Sequence, residues 1–264
     1  MLTLDDGGIP SNADRKNGPS IKIAKLIAEQ LGQCSTARKL PGQTAGASFE
    51  SICAAFVESC FPKLTHLRPG TWHIAKGDSK RGIAGFDQYD HLATLEALAE
   101  TNVDVAVALG ADYLIKPDIV VARYPEPDEI INATSVVVSD DTARLTSLRK
   151  VNQQLPILHA SISCKWTLRS DRAQNARSEG LNLVRNRKGR LPHVCVIVGE
   201  PTPSRISSIA LGTGDIDCVY HFALYELIQA LKTLKYEDAL DLVQTMMQGK
   251  RLRDISDMPL DLVV

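Results

Sequence analysis

The sequence lacks four things, and each lack excludes a class. It has no apolar run approaching a membrane span, although 44% of its 264 residues are hydrophobic. Its N-terminus, MLTLDDGGIPSNADRKNG, has no apolar stretch of the kind a signal peptide needs, so a cytoplasmic protein is expected. Its six cysteines, at 34, 53, 60, 164, 195 and 218, form no C-x-x-C pair. Most lie inside apolar runs, which reads as reduced core thiols and not as a zinc site or a disulfide frame. Finally, charge of neither sign is in excess. With 30 Lys+Arg against 31 Asp+Glu, a protein that coats DNA nonspecifically is disfavoured, but one focused basic patch is not.

Such a patch is present. From Lys165 to Arg190 there are eight basic residues (Lys165, Arg169, Arg172, Arg177, Arg185, Arg187, Lys188, Arg190) against Asp171 and Glu179. A local surplus of six in a neutral chain is a footprint for a polyanion, with a solvated helix face as the alternative. The same stretch predicts a strand–turn–helix unit. Ile162 and Cys164 alternate with Ser163 and Lys165 at the period of a strand. Ser170 then suits an N-cap, and helical spacing continues to about Arg185.

Elsewhere the chain alternates helical and strand-like segments without repeats or low-complexity runs. Residues 1–18 read as a polar arm, 21–31 as a helix, 40–46 as a loop, and 47–61 as a second helix with Glu50 in its first turn. Residues 63–88 read as a strand or two, and 90–109 as a helix broken near Asn102. Pro117-Asp118 opens a β-branched strand, since proline suits a strand's first residues. A loop over 125–132 and a short helix over 143–150 follow. Leu155 to Trp166 is the central strand, and Val194 to Val198 a buried one. Pro201 to Arg205 reads as a rigid loop, with helices at 219–234 and 236–248. One mixed α/β domain over 1–264 is expected, with a central sheet flanked by helices.

Asp118 at a strand start, Lys165 on a neighbouring strand and Glu179 on the following helix are candidates to converge. A hydrolytic Mg²⁺ site needs few carboxylates plus a group that positions water. On chemistry alone, an ion pair between Lys165 and Asp118 is an equal alternative, and Glu50 reads most simply as a charge favourable to its helix dipole. Arg169, Asp171 and Arg172 suit base edges: arginine matches guanine O6 and N7, and a carboxylate accepts from cytosine N4. The alternative is a loop ion-pair cluster.

The array Pro117-Asp118, Ser163-Cys164-Lys165-Trp166-Thr167, Arg169-Ser170-Asp171-Arg172 and Arg177-Ser178-Glu179 resembles the CCGG-family type II restriction endonucleases. The resemblance extends to Ser11-Asn12-Ala13-Asp14, Leu40-Pro41-Gly42-Gln43-Thr44 and Pro201-Thr202-Pro203-Ser204-Arg205. It implies a PD-(D/E)xK fold in which Ser163 stands where the usual nuclease motif has an acidic residue, and Glu179 takes that residue's place. Asp118 and the main-chain carbonyl of Cys164 would bind Mg²⁺, Lys165 would position or activate the water, and Glu50 would be a further acidic residue of the site. Arg169, Asp171 and Arg172 would read CCGG, Arg205 and Asp14 the flanking pair, and Gln43 the minor groove. The implied target is double-stranded GCCGGC, cut after the first G to leave four-base 5′ overhangs. The implied assembly is a homotetramer cleaving two sites together, with a cognate DNA methyltransferase in the bacterial host. Rival readings are a repair, junction-resolving or transposition nuclease, and a DNA-binding regulator without activity.

Overall fold

The computed structural model describes residues 2–32, 35–36, 42–77, 82–109, 115–212 and 214–264. Leu40 and Pro41, which carry part of the family resemblance, lie outside the described residues. Two short strands, β1 (Thr3–Leu4) and β2 (Ser35–Thr36), pair in parallel. The main sheet is built from β3 (Trp72–Lys76), β4 (Ile119–Arg123), β5 (Ile157–Lys165), β6 (His193–Val198), β7 (Cys218–His221) and β8 (Leu252–Asp254), adjacent in that order. β3 pairs with β4, and β4 with β5, in antiparallel fashion, while β5 to β8 are parallel. Around it lie α1 (Gly18–Gln30), α2 (Gly42–Cys60), α3 (His91–Thr101), α4 (Val103–Leu109), α5 (Asp128–Ile131), α6 (Ser170–Asn186), α7 (Pro203–Ala210), α8 (Leu224–Leu234), α9 (Glu237–Gln248) and α10 (Met258–Asp261). The expected α/β class with a mixed central sheet is the observed one.

Strand alternation divides the core between the two faces of the sheet. Val194, Val196 and Val198 join Leu183 of α6, Ile206 of α7, Leu227 of α8 and Met246 of α9 in one cluster. Ile119, Val121, Ile162, Cys164 and Ile197 join Phe49, Cys53 and Val57 of α2 in the other. Full burial of such side chains contributes about 1.5–3 kcal/mol each. The pairing of β4 with β5 slips between Val121 and Ala122, so that Leu158 and Ala160, two residues apart on β5, belong to opposite clusters. No helix among the described residues is long and apolar enough to cross a membrane.

Several local expectations are corrected. The polar arm is docked: Asn12 is buried and its amide donates to the Gly199 carbonyl at 2.8 Å. The glycine-rich segment expected as a loop is helical from Gly42, with Ala45 packed on the α2-side core. Glu50 therefore sits more than two turns into α2, and the first turn carries no acidic residue. The helix expected over 143–150 is absent. Ala143 takes a left-handed φ of 52°, and buried Arg149 reaches back to Asp128 (2.9 Å) and to the Ser139 carbonyl (2.9 Å), which holds the segment folded on itself. The segment 125–132 contains the one-turn α5. Pro203 starts α7, so the expected rigid loop ends at Thr202. Cys218–His221 is a strand and not the start of a helix. The N-cap of α6 is Arg169, in extended conformation and without a side-chain cap, not Ser170.

Candidate active site

Asp118 precedes β4 at the edge where β3, β4 and β5 end together. Three groups from β5 converge on its Oδ2: the Cys164 amide at 2.6 Å, the Ser163 hydroxyl at 3.4 Å and the Lys165 ammonium at 3.6 Å. The Ser163 hydroxyl, with one proton to give, also lies 3.1 Å from Oε2 of Glu179, and Asn175 donates to the other oxygen at 2.9 Å. Asn175 and Glu179 are one turn apart on α6, so the helix that follows β5 carries both back over the strand end. The three candidates Asp118, Lys165 and Glu179 are thus brought together, with Ser163 as the hinge between the carboxylates. What Cys164 offers Asp118 is its amide.

The electrostatics are those of crowded carboxylates. Burial pushes the Glu179 carboxyl above its usual range; the Lys165 charge opposes this and the Asp118 charge adds to it. Burial also raises Glu50, followed by the Asp118 charge, with Lys76 and Lys165 pulling the other way. Glu50 of α2 shares a cleft with Cys164 and Lys165, and its place well inside the helix removes the helix-dipole reading. Glu50, Lys165, Asp171, Arg172 and Asn175 line one cleft of about 560 Å³.

Among the described residues, no three His, Cys, Asp or Glu side chains form a ready ligand set. A hard cation that keeps its waters does not need one. Two carboxylates bridged by one hydroxyl, with Glu50 in the same cleft, fit such a cation, because its charge would offset the burial and the Asp118 charge that raise Glu179 and Glu50.

The other candidates divide between this cleft and a second one. Arg172 lies in the first, oriented by its donation to the Thr167 hydroxyl at 2.8 Å. Arg169, Asp14 and Arg205 line the second, of about 540 Å³, on the far side of the α6 start. Arg205 pairs with Asp14, holding that carboxyl below its usual range. Gln43 lies in the first turn of α2, and its side chain is outside the described residues.

Sequence reasoning missed Glu200. It is fully buried, accepts from the Leu168 amide at 2.8 Å and the Thr202 amide at 3.1 Å, and stands 3.6 Å from Arg205. One carboxylate thereby ties the turn into α6 to the start of α7 and to the arginine of the second cleft. Its raised carboxyl pKa, caused first by burial, is the mark of that position. A lone Glu beside Gly199 and Pro201 has no periodicity to reveal it. The bond from Asn175 to Glu179 likewise required the fold.

A model of the NgoMIV restriction enzyme family matches residues 1–264. The chain belongs to that family. It is 58% identical over 266 residues to the Type II restriction enzyme NgoMIV of Neisseria gonorrhoeae, covering 100% of this chain and 93% of that protein. The NgoMIV family is one of type II restriction endonucleases, so site-specific cleavage of DNA is the activity class here. A slighter likeness, of TM-score 0.36 and 14% identity over 97% of this chain and 88% of the other, is to the Type IIF restriction endonuclease Bse634I with cognate DNA.

Proposed function

We propose that this NgoMIV-family protein hydrolyses double-stranded DNA at GCCGGC with Mg²⁺, cutting after the first G to leave four-base 5′ overhangs. The observation that carries the reading is the Asp118–Ser163–Glu179 chain with Lys165 against it, opening into the cleft that also holds Arg172 and Asp171. A scission site and a set of base-edge groups share one wall.

Each residue has a role that its position permits. Asp118 and Glu179 would hold Mg²⁺, with Glu50 as a further carboxylate and the Cys164 carbonyl as a neutral oxygen. The ion, when bound, supplies stabilisation of the charge that develops on the phosphate. Lys165, 12% exposed and pinned to Asp118, orients the attacking water and offers a positive charge to the phosphate. Ser163 keeps both carboxylates facing one point. The start of α6 directs Arg169, Asp171 and Arg172 to the CCGG core. Asp14 and Arg205, already paired, meet the flanking base pair together, and Gln43 reaches the minor groove.

A palindromic target requires a two-fold pair of chains to cut both strands, and a dimer of such pairs is the assembly proposed. The proposed setting is the bacterial cytoplasm, with a methyltransferase protecting the host's own sites. Run-off sequencing of ends from a digested genome tests target, cut position and overhang at once. Ends sharing no common sequence would overturn the specificity reading.

Arg172→Ala is expected to lose about 1–3 kcal/mol of discrimination at one G·C pair. Competition between the cognate duplex and duplexes with single substitutions measures this. Equal weakening on all duplexes would make Arg172 a phosphate contact instead.

A further inference from the structure

The basic surplus that marks residues 165–190 is not all used by the two clefts. α6 starts with Arg169 and Arg172 beside them, but Lys188 and Arg190 follow its other end, roughly 25 Å away for 17 residues of helix. There they line a cavity of about 670 Å³ with Arg68, Arg123, Trp72 and His159. This cavity sits at the first residues of β5. Lys165 closes the same strand, roughly 26 Å further on at about 3.3 Å per residue.

Four cationic side chains face this cavity against two acidic ones, Asp87 and Asp90. Among the described residues Arg123, Lys188 and Arg190 make no ion pair, and Asp90 faces His91. Arg68 bonds an oxygen of Val264, the last residue of the sequence, whose carboxylate offsets the Arg68 charge but not those of Arg123, Lys188 and Arg190. The guanidinium carbons of Arg68 and Arg123 each stand 5.8 Å from the centre of the Trp72 ring. That stacking holds two cations close together and neutralises neither. The buried Nε of Arg123 has no hydrogen-bond partner among the described residues. Mutual repulsion is felt: burial, then the charges of Arg190 and Arg123, push the Arg68 pKa down.

We infer that this cavity is a second anion site, which takes a phosphate group between the guanidiniums of Arg68, Arg123 and Arg190. Guanidinium forks match pairs of phosphate oxygens, and a doubly charged tetrahedral anion removes the repulsion among them. Trp72 and His159 form the apolar wall. His159 donates its Nε2 proton to the Leu262 carbonyl at 2.6 Å and, with a pKa pushed down mainly by burial to about 4, stays neutral. The anion has two sources, free phosphate or the backbone of duplex DNA. The site is independent of the cleavage cleft, and it stands or falls separately from the catalytic assignment.

Thermal unfolding of the full-length protein in metal-free chloride buffer, with inorganic phosphate titrated at constant ionic strength, reads the first source. A saturable rise in Tm of several degrees is expected. Arg190→Gln and Arg123→Gln are expected to lose most of it, and Arg169→Ala, at the other end of α6, to retain it. Arg190 is exposed and its guanidinium makes no hydrogen bond among the described residues, so its variant should fold normally, which far-ultraviolet circular dichroism checks. Binding of a noncognate duplex across a salt series reads the second source. There, Arg190→Gln lowering the slope of log K against log salt by about one assigns the site to DNA phosphates. Either response upholds the site and names its source. A phosphate response that is absent, or that persists undiminished in both variants, together with an unchanged salt slope, overturns it.

Discussion

Lys165→Ala is expected to reduce the single-turnover cleavage rate by about 10²–10⁴-fold or more while leaving specific DNA binding intact. The ammonium stands 3.6 Å from Asp118 and is one of the two charges that oppose the protonation of Glu50. It is also the leading charge that restrains protonation of Glu179. Its removal takes away the group that orients water and lets both carboxyls rise further, which weakens their hold on a cation. The base-edge residues are untouched, since Arg172 is oriented by Thr167 and Arg205 by Asp14 and Glu200. Rapid-quench cleavage with Mg²⁺ and gel-shift titration of the cognate duplex separate the two effects. A variant that cuts at the wild-type rate would remove Lys165 from the chemistry. A variant that no longer binds would show that it holds DNA instead.

Gly77→Ala is expected to damage the site without touching any charged group. A Cβ on Gly77 would lie 1.7 Å from the Pro117 carbonyl oxygen, a backbone atom that cannot step aside. The Gly77 amide donates to the Asp118 carbonyl at 3.0 Å, so the strand after Lys76 and the turn that presents Asp118 are fitted backbone to backbone. Any accommodation displaces Asp118 from the Cys164 amide and from Ser163. A stability loss of about 1–3 kcal/mol from overpacking is expected. It should come with a larger fall in Mg²⁺-dependent cleavage, because a misplacement of about 1 Å costs on the order of 10²-fold. Chemical denaturation and cleavage at saturating Mg²⁺ measure the two. Wild-type stability with wild-type cleavage would show that the two strands part freely there.

These expectations use different amounts of sequence and fold. Lys165 was visible as a polar member of an alternating strand, and period two put Ser163 on its face. Asp118 was visible through its proline. Gly77 lay within the segment read as a strand or two, and its close backbone approach leaves no pattern in one sequence. Glu50 was placed on a helix, yet its surroundings were misjudged. Packing of Ala45 and Phe49 on the sheet extends α2 to Gly42 and moves Glu50 from a helix start to the cleft it shares with Lys165. The basic run was noted as one patch. The length of α6 divides it into two places that cannot serve one ligand group.

By itself the sequence determined the class of fold, the buried β6, the strand–turn–helix unit and the residue types that cluster at its start, because periodicity and caps are local properties of the chain. Only the tertiary structure decided that Glu50 joins Asp118, that Glu200 ties two helix starts together, that the arm is docked through Asn12, and that Arg190 meets Arg68 and Arg123. Those contacts join residues far apart in sequence. Their distances are set by how sheet and helices pack, for which local pattern holds no record.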